Sequence, residues 1–146
     1  MKTLVVYDSF YGNTKKIAET VAGELGKGVK TISVSEVKSK DLTGIDLLVV
    51  GSPILAFRPS EKTGKFLASL SAGQLKGIKA TAFDTRVRIF FHGDAAGKIA
   101  AGLKQAGAEI VAEPCGFIVE GREGPLANDA VVKAKEWAGT IKARVK

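Results

Sequence analysis

Val5-Val6-Tyr7-Asp8-Ser9-Phe10-Tyr11-Gly12-Asn13-Thr14, continuing into Lys15-Lys16-Ile17-Ala18-Glu19-Thr20-Val21, decides the fold of this 146-residue chain. The stretch reads as strand, tight loop and helix. Leu4, Val5 and Val6 form an unbroken apolar run, which suits a central parallel strand covered on both faces better than a half-exposed strand that would alternate. After Tyr7 the character changes. Ser9, Gly12, Asn13 and Thr14 supply two hydroxyls, an amide and a glycine just before a helix whose free N–H groups point back towards them. The partial positive charge at a helix start, with hydroxyl donors beside it, binds a phosphate without any lysine. The same residue types also serve as plain N-caps. The loop is neither G-x-x-x-x-G-K-S/T nor G-x-G-x-x-G, so spacing leaves both readings open.

Outward from this stretch, the first helix is expected from Thr14 to about Leu25, stopped by Gly26. Val29 to Val34 alternates, as a half-exposed edge strand does, and Asp41-Leu42 suggests one helical turn in a polar segment. Asp46 to Gly51 is a second buried strand, followed by a loop from Ser52 to Pro59 and a helix capped by Ser60 that turns Phe66, Leu67 and Leu70 inward. Lys79 to Asp84 is the fourth strand, with a long loop from Thr85 to Gly93, where His92 is either a ligand contact or a cap. Asp94 opens a helix to about Gln105. Ala108–Ala112 and Gly116–Glu120 form a fifth strand interrupted at Pro114, where a central strand would lose a hydrogen bond. Asn128 caps a last helix with Val131, Val132, Trp137, Ala138 and Ile141 towards the sheet. Strands alternating with helices give a doubly wound α/β sheet, parallel, with helices on both faces. In such sheets ligands sit beyond the carboxyl ends of the strands.

Residues 1–146 are expected to form a single domain with a sizeable core. No apolar run approaches the roughly 20 residues of a membrane span. Met1-Lys2-Thr3 leads directly into the first strand and leaves no room for a signal peptide, so the expected location is the cytoplasm. One cysteine, Cys115, and one histidine, His92, argue against a disulfide or a transition-metal cage. Lysine and arginine outnumber acids by 22 to 15, a net charge of +7. The basic residues run from Lys2 to Lys146 with no block of five or six, which disfavours a nucleic-acid arm. Such a field steers in an anionic ligand or an acidic protein.

The apolar pair before Tyr7, with Tyr7, Ser9, Gly12, Thr14, Ala18 and Val21, stands where flavodoxins carry their N-terminal signature, and the chain resembles that family over nearly its whole length. The resemblance implies a five-stranded sheet in the order 2-1-3-4-5 and an FMN cofactor. It places the phosphate against Ser9, Phe10, Tyr11, Gly12, Asn13 and Thr14. The ring would then meet Ser52, Pro53, Ile54, Leu55, Ala56 and Phe57 on one side and Asp84, Thr85, Arg86 and Val87 on the other, largely through backbone. The chain departs from the family in having no tryptophan or tyrosine in either ring loop and no glycine between residues 53 and 59. The leading expectation is an electron carrier between redox partners, the partner having an acidic docking surface. Alternatives are an FMN-dependent oxidoreductase of the quinone or heme-precursor type, or a degenerate domain without flavin. A phosphoryl-receiving regulator of this fold needs an aspartate where this chain has Val50-Gly51-Ser52. Arg58, Arg86 and Arg88 stand in or beside the ring loops, where they are expected to raise the flavin potential, unless Arg86 and Arg88 point into solvent or bind the protein's own carboxylates.

Overall fold

The first strand, β1 (Thr3–Tyr7), lies inside a parallel sheet, paired with β2 (Lys30–Ser33) on one edge and β3 (Leu47–Leu55) on the other. This is a computed structural model, and it describes residues 1–88 and 92–145. Next come β4 (Arg58–Pro59), α2 (Glu61–Ser69), β5 (Lys79–Val87), α3 (Ala95–Gln105), β6 (Glu109–Ile110), β7 (Cys115–Val119) and α4 (Ala130–Val145); α1 (Asn13–Leu25) lies between β1 and β2. The sheet order is β2-β1-β3-β5-β6, with β7 also paired to β5 and β4 folded antiparallel onto β3. β6 and β7 are the two halves of the fifth strand, broken around Pro114. The parallel layer therefore has the expected order 2-1-3-4-5. A 3-10 turn over Ser39–Leu42 stands where one helical turn was expected.

The unbroken apolar strands are buried on both faces, as a parallel sheet requires. Leu4, Val6, Leu48, Val50, Ala80 and Ala82 pack on one side with Phe66, Ile99 and Leu103 of α2 and α3. Val5, Leu47, Val49 and Phe83 pack on the other with Ile17, Val21, Trp137 and Ile141 of α1 and α4. Trp137 is a core residue whose ring lies 5.9 Å from both Phe83 and Phe117, each pair edge to face. Its indole N–H donates to the Glu113 carbonyl at 3.0 Å, which satisfies the polar end of a buried ring. No helix among the described residues is long and apolar enough to cross a membrane.

Two strands run further than their sequence signals. β3 continues past Gly51 to Leu55 and β5 continues past Asp84 to Val87, because Ser52 and Pro53 ladder with Asp84 and Thr85, and residues 83–87 ladder with β7. Pro53 is tolerated there because β1 ends opposite Gly51, leaving no ladder on that edge for a missing N–H to break. At the carboxyl end, α4 begins at Ala130, so Asp129 and not Asn128 stands immediately before it. Val132 is 56% exposed; the helix turns Ala130, Ala134, Trp137, Ala138 and Ile141 inward instead.

Candidate functional site

At the end of β1 the buried Asp8 accepts the Ser9 N–H at 3.0 Å and the Ser60 hydroxyl at 2.5 Å, which ties the first loop to the start of α2. Gly12 has φ 90° and donates its N–H to the Ser9 hydroxyl at 3.0 Å. A side chain at this left-handed position would be strained. As the N-cap of α1, Gly12 has no side chain to accept from the first turn. The helices α2 and α3 differ: Ser60 accepts from the Thr63 N–H at 3.3 Å and Asp94 from the Gly97 N–H at 3.0 Å. The first-turn donors of α1 are therefore left without a side-chain acceptor, next to Ser9 and Thr14. Thr14 is buried, and its hydroxyl lies 2.8 Å from that of Thr85 on β5. Asn13 donates its side-chain amide to the Glu123 carbonyl at 3.1 Å, joining the first loop to residues 121–124.

The segment after β3, which its sequence presents as a loop, is a tight hairpin. Ile54 and Leu55 pair with Pro59 and Arg58 of β4, and the turn consists of Ala56 at φ 49° and Phe57 at φ 67°. Two consecutive left-handed residues are what a type I′ turn requires, normally with asparagine and glycine.

Between this hairpin, the first loop and the end of β5 lies a cavity of about 490 Å³, within the range that takes a small-molecule cofactor. Ser9, Phe10, Tyr11, Asn13 and Thr14 line it at one end, Pro53 to Phe57 form one wall, and Thr85, Val87 and Val119 form the other, with His92 and Arg122. Of the sequence-selected residues, Gly12, Ser52, Asp84 and Arg86 do not line it. Ser52 is fully buried, its hydroxyl accepting the Ser60 N–H at 3.0 Å. Successive residues of a strand point to opposite faces. Thr85 and Val87 thus reach the cavity while Asp84 and Arg86 turn away. Asp84 accepts a two-pronged contact from Arg86, 2.7 Å from Nε and 2.6 Å from a terminal nitrogen, and the Ala96 N–H of α3 at 2.9 Å. A Cβ on Gly116 would sit 2.1 Å from Arg86 Nε, so this glycine makes the room the guanidinium occupies. Arg88 pairs with Glu120 at 2.6 Å. Both arginines hold the chain's own carboxylates, and these hydrogen bonds raise the pKa of each. Among the described lining residues, Arg122 is the arginine that faces the cavity.

Val119 and Arg122 went unread in the sequence, although a signal existed: β7 pairs with β5, Val87 opposite Val119, so the end of the fifth strand adjoins the fourth. Ile89, Phe90 and Phe91 of the second ring loop lie outside the described residues. His92 is half-buried with Nδ1 2.6 Å from the Gly93 carbonyl. Burial pushes the Cys115 thiol pKa up, which disfavours the reactive thiolate.

The chain matches the Flavodoxin domain family over residues 4–126. It is 31% identical to an uncharacterized protein of Methanocaldococcus jannaschii over 97% of this chain and 98% of that one. It is also 36% identical to a flavodoxin of Aquifex aeolicus over 58% of this chain and 49% of that one. Among solved structures, oxidised flavodoxin 1 of Bacillus cereus superposes with a TM-score of 0.85 at 18% identity, each chain covered in full. The rubredoxin oxygen:oxidoreductase of Desulfovibrio gigas superposes with a TM-score of 0.79 at 20% identity, over 99% of this chain and 36% of that one. At these identities the two structures speak for the fold. The family match, spanning the first loop, both cavity walls and the 121–124 segment, shows that this chain belongs to the flavodoxin family.

Proposed function

We propose that the chain is a cytoplasmic FMN protein that carries one or two electrons between redox partners. The observation that carries this reading is the α1 N-terminus, uncapped by any side chain, opening with Ser9 and Thr14 onto one end of a cavity whose other walls are mostly apolar. Ser9 to Thr14 and the first-turn N–H groups of α1 would hold the phosphate without a salt bridge. Ile54, Leu55 and Phe57 on one side, with Val87 and Val119 on the other, would enclose the ring. When bound, FMN supplies the electron chemistry; the protein supplies binding, orientation and field. Phe10, Tyr11, Leu55 and Phe57 are both cavity-lining and exposed, which leaves an apolar rim where a partner reaches the ligand. Titration of the ligand-free protein with FMN, followed by flavin fluorescence and the visible spectrum, tests the reading. Saturable one-to-one binding is expected, and its absence overturns it.

The net charge of +7 favours an acidic partner by raising the encounter rate, an effect that salt screens. Stopped-flow reduction of such a partner is expected to slow several-fold between low salt and about 0.15 M, where the screening length is about 8 Å. A salt-independent rate would remove the electrostatic basis for the choice of partner.

Arg122 gives a second test. A guanidinium at the cavity favours the arrival of negative charge inside it. One charge at about 10 Å, with an effective dielectric of about 20, is worth roughly 1.7 kcal/mol, or about 70 mV for one electron. Solvent at an exposed side chain reduces this to a few tens of millivolts. Redox titration of Arg122→Gln should therefore show a lower midpoint potential than wild type, while the double variant Arg88→Gln/Glu120→Gln, which removes a matched pair of charges, should not. Equal potentials in Arg122→Gln and wild type would exclude this cation from tuning.

A further inference from the structure

We propose that Lys98 is a positioning residue that holds the Ala56–Phe57 turn, and with it one wall of the cavity, in its binding form before any ligand arrives. Left-handed backbone is unfavourable for residues such as alanine and phenylalanine, whose side chains offer no local hydrogen bond, and it persists only where the surroundings over-determine it. The local ladder does little here. It consists of two residue pairs, Ile54 with Pro59 and Leu55 with Arg58, and Pro59 has no N–H to give. The constraint comes from outside the hairpin, from Gly93 and α3. Gly93, at φ 80°, lies so close beneath the turn that a Cβ on it would be 2.6 Å from both Cα and the carbonyl oxygen of Phe57. Lys98 donates its ammonium to that same Phe57 carbonyl at 3.0 Å. Rotating the Phe57–Arg58 peptide would break this charge-assisted bond, so Lys98 fixes the peptide that closes the turn.

The platform is rigid, because Ala95, Ala96, Ile99 and Ala100 of α3 are buried around Lys98. Lys98 takes part in none of the ion pairs found among the described residues, and it does not line the cavity, whereas Leu55, Ala56 and Phe57 do. Its effect on a ligand therefore passes through the hairpin.

The test is amide hydrogen exchange of the ligand-free chain, with FMN affinity measured alongside. Lys98→Met should speed exchange of residues 54–58 about three- to tenfold, the scale of an exposed charge-assisted bond, while amides of α3 and β1 stay as in wild type. Lys98→Arg, which keeps a donor cation, should restore most of the protection. In an Ala56→Asn background, where the left-handed position suits its residue, the Lys98→Met effect should shrink to twofold or less. FMN affinity should fall in parallel with the loss of protection. Unchanged exchange in Lys98→Met, or an equal effect in both backgrounds, would overturn the proposal. Faster exchange with undiminished FMN affinity would overturn the role in the site. The inference rests on the geometry of the turn, and only its affinity arm rests on the FMN reading, so the exchange result stands even if FMN does not bind.

Discussion

Asp84→Ala is expected to destabilise the folded chain by about 2–4 kcal/mol, the largest single loss among the residues around the site. The carboxylate has no solvent exposure and receives three hydrogen bonds, two from Arg86 and one from the Ala96 N–H. Removing it leaves a half-buried guanidinium with only the exposed Asp94 carboxylate, 3.6 Å away, and a helix N–H without an acceptor. Breaking one side of a buried pair costs roughly 3–5 kcal/mol when the surviving charge is sealed from water. Here the Arg86 side chain is 19% exposed, so partial hydration moves the figure down to about 2–4 kcal/mol. Arg86→Met strips the buried carboxylate of its cation and should cost a similar amount. The double variant Asp84→Ala/Arg86→Met should lose clearly less than the sum of the two, because no uncompensated charge remains. Urea unfolding of the four proteins at pH 7 provides the cycle; additive losses, or a loss below about 1 kcal/mol for Asp84→Ala, would show that the pair does not hold the end of β5 to α3.

The same two residues show how far the sequence could be read. Continuous apolar runs marked β1 and the first half of β3 without ambiguity, because burial on both faces leaves nothing to alternate. Where a strand passes out of the core towards the ligand, that signal stops although the ladder goes on, and Ser52-Pro53 and Thr85-Arg86-Val87 then resemble loop. With Asp84 as the end of the strand and Thr85 to Val87 as loop, residues 84–87 are four equal candidates for the cavity. Paired with β7, they divide by the pleat into Thr85 and Val87 facing the cavity and Asp84 and Arg86 facing α3. The hairpin after β3 was hidden for another reason: a type I′ turn announces itself by asparagine and glycine, and Ala56-Phe57 has neither because contacts from Gly93 and Lys98, distant in sequence, hold it instead. For Arg122 the strand order offered part of the signal, the end of β7 lying beside β5, but its place also depends on the Asn13 amide holding the Glu123 carbonyl, which no local pattern announces. Val132, apolar but exposed, was misplaced because the α4 periodicity is dominated by alanines, which mark a buried face only weakly.

Thr14→Val is expected to weaken FMN binding by about ten- to a hundredfold, or roughly 1.5–3 kcal/mol, the cost of losing a hydrogen bond to a charged group. The substitution keeps the branched shape, so a residue that is 2% exposed is replaced without opening a cavity. What it removes is a hydroxyl 2.8 Å from that of Thr85. When Thr85 donates in that contact, the Thr14 hydrogen is available to a phosphate at the start of α1, and the two threonines act as a short relay from β5 to the anion. Thr85→Val should then weaken FMN as well, by less, because Thr14 keeps its donor and loses only its fixed direction. Thr14→Ser, which retains the hydroxyl, should bind within a few-fold of wild type. Riboflavin separates the phosphate from the ring: lacking the anion, it should bind wild type and Thr14→Val with nearly equal affinity. A Thr14→Val variant that loses riboflavin and FMN alike would place the effect in the cavity's shape, and one that binds FMN as wild type does would remove this hydroxyl from the phosphate site.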